Sequence, residues 1–350
     1  MSRVYLTNNT PIKFDFIQAI DTFKVIENIN YKLNKKGEFK LVEVTKKGVS
    51  TIELLKHLSK VFKIKEAEIG YAGLKDKHAT TIQYITLPKY VNINRYKNSF
   101  EITLKEIGLV SNRLKIGELK SNSFEIILKN IDKSNYEKMV LALLKIEKYG
   151  FANFFGYQRF SMLDKESNKG LKIALNGKRV KRQESKIILA AYQSKLFNEW
   201  LNRRLEISLE LSSLKLPLNV IELLNSYEIP FKLLKGDLGF SYIKGKKSYQ
   251  VVNNLKSYME LFSAKKFYPT GVLFGSKVEL SKSLAGNIER EFIDYSFNAL
   301  YGTRRAAWVW PKDLTYTFNK DKKEATLKFT LLPGSYATTL LEELLNKQLQ

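Results

Sequence analysis

Apolar and polar residues alternate along "TFKVIENI" (22–29) and "FKLVEVTK" (39–46), which predicts two half-buried strands joined by a polar loop containing Gly37. "STIELLKHLSKVF" then changes period: Ile52, Leu55, Leu58 and Phe62 recur at helical spacing, and Ser50 with Glu53 has the spacing of a capping box. Further strands are expected at "TTIQYITL" (80–87), "SFEITL" (99–104) and "SFEIILKN" (123–130). A second capping box, Ser134 with Glu137, opens a helix that Gly150 can end. Beyond Gly150 the pattern is a long helical run, "IILAAYQSKLFNEWLNRRL" (187–205), followed by loop-rich sequence to about residue 302. Strand-like "EATLKFTLL" (324–332) and a helix from Tyr336 return to the style of the first part. The fold class is α+β. Three segments follow: residues 1–150, an insertion at 151–302, and 303–350, which rejoins the first.

Charge changes this picture more than composition does. The 350 residues carry a formal net charge of +24, and the excess lies in all three segments rather than in one basic tail. Charge of that kind suits a polyanion, because many lysine and arginine contacts to phosphate sum through counterion release. RNA or DNA is the expected partner, although a lysine-rich composition accounts for part of the excess. With no cysteine and only His57 and His78, thiolate metal sites are excluded and no metal or other cofactor is expected. No run of 18 apolar residues and no apolar N-terminal core predict a membrane span or signal peptide, so a cytoplasmic protein is expected. "GFSYIKGKKS" is not a phosphate-binding loop, since five residues separate Gly239 from Gly245 and two lysines follow.

Candidate chemistry concentrates in "IGYAGLKDKHATTIQY" (69–84), where Asp76 stands between Lys75 and Lys77 and before His78. By itself this reads as a solvated charge cluster. The glycines of "GYAG" predict a sharp turn and close substrate approach. "LKIGELKSNSFEI" (114–126), "NFFGYQRF" (153–160), "GTRR" (302–305) and "LPGSYATTLLEEL" (332–344) follow in order. Together these motifs resemble the TruD family of tRNA pseudouridine synthases over essentially the whole chain.

The resemblance implies a pseudouridine-synthase-type catalytic domain, a mixed and mostly antiparallel sheet flanked by helices, interrupted by the α+β TRUD insertion domain. It implies uridine isomerisation in tRNA, at position 13 in the D arm, without a cofactor, and no obligate protein partner is expected. Asp76 matches the family's catalytic aspartate. Its carboxylate can attack C1′ as a nucleophile or act as a base at C2′, and either role needs the ionised form. Lys75 and Lys77 would favour that form if close, but in an extended segment neighbours point apart, so both are expected mainly to meet RNA phosphate. His78 is an RNA or structural contact, or a proton donor.

Phe124 and Asn122 match an active-site aromatic and its accompanying asparagine. From pattern alone Phe124 is core, sharing a strand face with Ile126 and Leu128; the family match makes it a wall for a flipped base. Gln158 and Arg159 suit RNA backbone contacts or domain packing equally, as do Arg304 and Arg305. "KRVKR" (178–182) reads as a basic loop. Ser121 and Ser161 stand where the family more often has glycine, and upstream of Phe23, where some members carry a basic residue, Ile17 lies nearest and Lys13 is only a loose match. A non-catalytic RNA-binding protein would leave Asp76 idle, and a glycosidase or nuclease would need a second carboxylate, a histidine pair or a metal cluster.

Overall fold

A computed structural model describes residues 3–6, 10–156, 159–160, 183–295 and 301–349. They divide into two compact units, one of residues 13–140 with 311–333, the other of 1–12, 141–310 and 334–350.

The first unit is built on an eight-stranded sheet, with elements numbered in chain order through the whole protein. Its strands are β1 (Phe23–Ile29), β2 (Phe39–Lys47), β3 (Gly70–Tyr71), β4 (Thr80–Pro88), β5 (Ile102–Val110), β6 (Leu119–Leu128), β13 (Lys312–Asn319) and β14 (Glu324–Leu331). Their order is β13-β14-β6-β1-β4-β2-β5, with β3 on β4, and only β1 with β4 is parallel. The sheet is thus mixed and mostly antiparallel, as expected.

Helix α1 (Thr51–Phe62) starts on the expected capping box, in which Ser50 accepts from the Glu53 amide and Glu53 accepts from the Ser50 amide. Its buried Leu54, Leu55 and Leu58 pack with Val42 and Val44 of β2, Ile85 and Leu87 of β4, and Ile102 and Leu104 of β5. That apolar layer fixes α1 over one face of the sheet.

Helix α2 (Lys133–Tyr149) departs from the expected cap. Asp132, not Ser134, accepts from the Asn135 amide at 2.7 Å, because an aspartate two residues earlier is an equally good cap and adds one half-turn of helix. Gly150 ends the helix with φ of +81°, its amide bonded to the Ile146 carbonyl at 2.8 Å.

The second unit holds β7 (Phe151–Ala152), α3 (Gln183–Leu209), α4 (Leu218–Asn225), β8 (Leu238–Ile243), β9 (Lys246–Val251), α5 (Leu255–Ser263), β10 (Tyr268–Leu273), α6 (Ser283–Arg290), β11 (Thr303–Ala306), β12 (Trp308–Val309) and α7 (Ala337–Leu345). The stretch expected to be loop-rich therefore supplies three strands of a four-stranded sheet, β11-β10-β8-β9, with β11 just beyond it. Its β8–β9 hairpin turns on Lys244 and Gly245, both at positive φ, so Gly245, already excluded from a phosphate loop by its spacing, serves a tight turn. The interior is tied by buried ion pairs, Arg204 with Asp237 and Arg304 with Glu289.

Candidate active site

Strand register alone brings the chemistry together. Cross-strand partners share a face, and the pairs Ile102–Lys46, Lys46–Thr81, Thr81–Val25, Val25–Phe124 and Phe124–Phe329 form one row across the sheet. The next row, two residues along, contains Val44, Gln83, Glu27, Asn122 and Leu331. Glu27, Lys46, Thr81, Gln83 and Asn122 are buried among the apolar residues of this face. A buried polar group needs a partner, and the loop between β3 and β4 supplies several.

Lys75 turns inward from that loop. Its ammonium lies 3.1 Å from Glu27 Oε1 and donates to Asn122 Oδ1 at 2.9 Å. The other Glu27 oxygen accepts from the Tyr84 amide at 2.9 Å. The Lys75 amide donates to Thr51 Oγ1 at 2.9 Å, and the Thr51 hydroxyl donates to Gln83 Oε1 at 3.0 Å. One residue on, the Asp76 carbonyl accepts from the Lys46 ammonium at 2.9 Å. Asp76, Lys77 and His78 are exposed.

These contacts correct the expectation for Lys75 and give Lys77 a partner of its own. Lys75 does not present its charge to phosphate, because its side chain is 6% exposed and paired with Glu27. Lys77 is not an electrostatic partner of Asp76: its ammonium pairs with Glu53 at 2.7 Å and, with the Ser50 contacts, holds that carboxyl down at about 2. Neither glycine of "GYAG" has positive φ, and Gly70 acts otherwise than expected. A Cβ on Gly70 would lie 2.3 Å from Thr86 Oγ1 and 2.6 Å from the Leu114 carbonyl, so Gly70 permits close approach of protein rather than substrate.

Protein packed around the Asp76 carboxyl withdraws hydration and pushes its pKa up; Lys46, Lys75 and His78 pull it down. Asp76 nevertheless keeps an open face to water, which limits the rise.

Phe124 is buried between two other rings, Phe23 at 6.0 Å and Phe329 at 5.6 Å between centroids. It shares a strand face with Asn122, two residues away, so the aromatic row ends beside the Lys75 network. Ser121 accepts from Asn28 Nδ2 at 3.0 Å, a bond glycine could not make.

The remaining candidates lie in the second unit. Arg159 is half-buried, donating to Ser194 Oγ at 3.2 Å, with its guanidinium 5.7 Å from the Phe155 ring. Arg305 is buried, 3.9 Å from the Phe155 ring, donating to the Asn153 and Phe154 carbonyls, and burial pushes its pKa down to about 10. Arg304 donates to both Glu289 oxygens. For this arginine pair, packing replaces the open choice between packing and RNA contact. Gln158, Ser161 and the 178–182 basic run lie outside the described residues.

Sequence reasoning missed Glu27, Lys46 and Thr51. A signal was present: Phe23-x-Val25-x-Glu27 and Val42-x-Val44-x-Lys46 each place a charge where alternation calls for an apolar residue. Among the described residues no group of three or more His, Asp or Glu side chains could hold a metal, and no helix is long and apolar enough to cross a membrane.

The family model for tRNA pseudouridine synthase D (TruD) matches residues 2–165 and 161–344. The chain belongs to this family. A tRNA pseudouridine synthase D from Wolinella succinogenes is 36% identical over 362 residues, covering 100% of this chain and 99% of the relative. The Nitratiruptor protein of the same name is 37% identical over 363 residues, with 100% and 99% covered. A Methanosarcina mazei crystal structure described as a TruD shares the fold, with a TM-score of 0.71 at 22% identity over 99% of this chain and 97% of that one.

Proposed function

We propose that this TruD-family protein isomerises uridine to pseudouridine at position 13, in the D arm of tRNA, with Asp76 as its catalytic carboxylate. The observation that carries the proposal is the contrast around Asp76. Its neighbour Lys75 is tied to Glu27 and Asn122 and its own carbonyl to Lys46, while its side chain stays open to solvent. A rigid frame with one free carboxylate is what a group acting on a bound ribose requires.

The reaction breaks the bond from ribose C1′ to uracil N1, turns the base, and joins C5 to C1′; the proton lost from C5 is balanced by one gained at N1. No group is donated and nothing is oxidised. The carboxylate can attack C1′ or take a proton from C2′, and both uses require its ionised form. The target base must leave its stack to reach Asp76, and Phe124 in its aromatic row is the wall assigned to it, beside Asn122. Lys77 and His78, exposed beside Asp76, are assigned to the RNA backbone. Gln158 and Arg159 are assigned to tRNA contacts of the insertion.

The same reading makes residues 1–150 and 303–350 the catalytic domain and 151–302 the inserted TRUD domain, in a cytoplasmic protein. Purified protein incubated with unmodified tRNA transcripts, followed by chemical mapping of pseudouridine, tests it. Modification at uridine 13 is expected, and modification confined to another position would overturn the D-arm assignment.

A further inference from the structure

From Val42 on, strand β2 alternates, with Val42 and Val44 in the apolar layer beneath α1, and the next inward position is Lys46. Its side chain is fully buried, and its ammonium touches no carboxylate: it donates to the Val49 carbonyl at 2.6 Å and the Asp76 carbonyl at 2.9 Å. Burying an ammonium is costly, and two backbone carbonyls offset only part of that cost. A methionine would fill the same volume without the penalty. The placement calls for a purpose beyond packing.

Two features supply one. The bonded carbonyls belong to the turn before α1 and to the loop bearing Asp76, so a single ammonium joins both segments. Lys46 is also the largest attractive charge on the Asp76 carboxyl; Lys75 and His78 are the other charged groups acting on it, both from its own loop. The charged groups around Lys46 itself are Asp76 and Lys75 from the loop, Glu53 from α1 and Glu27 from β1.

We propose that Lys46 is a positioning residue for Asp76, anchoring its main chain and supplying buried positive charge beside its carboxylate. This rests on Asp76 being the catalytic carboxylate. Burial lowers the Lys46 pKa to about 8, so the ammonium keeps its proton through neutral pH, where that charge is needed.

The test compares Lys46→Met, which removes charge and donors, with Lys46→Gln, which removes charge but keeps a donor. Single-turnover isomerisation of a tRNA transcript is measured across pH, with Tm and tRNA affinity alongside. Both variants are expected to fold and bind tRNA as the wild type does, yet to react about tenfold to a hundredfold more slowly, as displaced catalytic groups do. The acid limb of the rate profile should move to higher pH, because losing a nearby positive charge raises the Asp76 pKa. A merely structural lysine would not move that limb.

An unshifted profile at wild-type rate in either folded variant overturns the proposal, as does failure of both to fold, which would make Lys46 a structural residue. Asp76→Asn serves as the reference. If it abolishes turnover while the Lys46 variants match wild type, only the role of Lys46 fails; if it retains turnover, the catalytic reading itself fails.

Discussion

Replacing Lys75 by methionine removes the ammonium that faces a carboxylate with a fully buried side chain. Lys75 is 6% exposed at the side chain and Glu27 is 0%, so the pair is nearly dry. Without Lys75, Glu27 keeps one hydrogen bond, from the Tyr84 amide. Breaking a buried pair from one side costs about 3–5 kcal/mol, because the surviving charge is left in a poor solvent. Lys75 sits on a loop whose neighbours Leu74, Asp76, Lys77 and His78 are exposed, so water can reach part of the gap. That favours the lower end, about 3 kcal/mol, or a fall in Tm of roughly 6–12 °C for a cooperative body of this size.

Glu27→Gln should cost less, about 1.5–3 kcal/mol, since a freed ammonium can turn to solvent while a buried carboxylate cannot. The double variant then has no isolated buried charge and should be more stable than the sum of its parts by about 1–3 kcal/mol. Chemical denaturation of the four proteins gives this coupling directly. If the two changes add to within about 0.5 kcal/mol, the ion pair does not carry the stability assigned to it.

Three other outcomes are expected. At neutral pH Asp76→Asn should raise Tm: the Asp76 pKa is raised by desolvation, so its ionised form disfavours the fold, and the gain should vanish as pH falls through the carboxyl range; a variant less stable at neutral pH would reverse this sign. Phe124→Leu loses two ring contacts worth about 0.5–1.5 kcal/mol each and should also slow single-turnover isomerisation, whereas Phe329→Leu, in the same row, should lose stability alone; equal slowing by both returns Phe124 to packing only. Affinity for tRNA should fall steeply with salt, as a +24 chain bound through phosphates requires, and a flat dependence would point to apolar recognition.

Local pattern revealed what local physics decides. Strands at 22–29, 39–46 and 80–87 and the Ser50–Glu53 start of α1 were legible because alternation and capping involve residues a few positions apart. The β8–β9 hairpin was not, since a Lys244–Gly245 turn lacks the Asn-Gly or Asp-Gly signal. Asp76 could be chosen from its motif, but the surrounding frame could not. Glu27, Lys46, Thr51, Lys75, Gln83 and Asn122 meet only because β1, β2, β4 and β6 pair in one register, and register is a long-range property. The same register explains why Lys75, on an exposed-looking stretch, turns inward: a buried carboxylate waits beneath it.

The most direct measurement is pseudouridine formed in a single turnover on unmodified tRNA by the wild type and by Asp76→Asn, with tRNA affinity measured on both. An asparagine keeps the shape of the side chain and removes only its charge. If Asp76 is the group that acts at the ribose, the variant binds tRNA as the wild type does and forms no pseudouridine. Turnover by the variant at a rate comparable to wild type would contradict it.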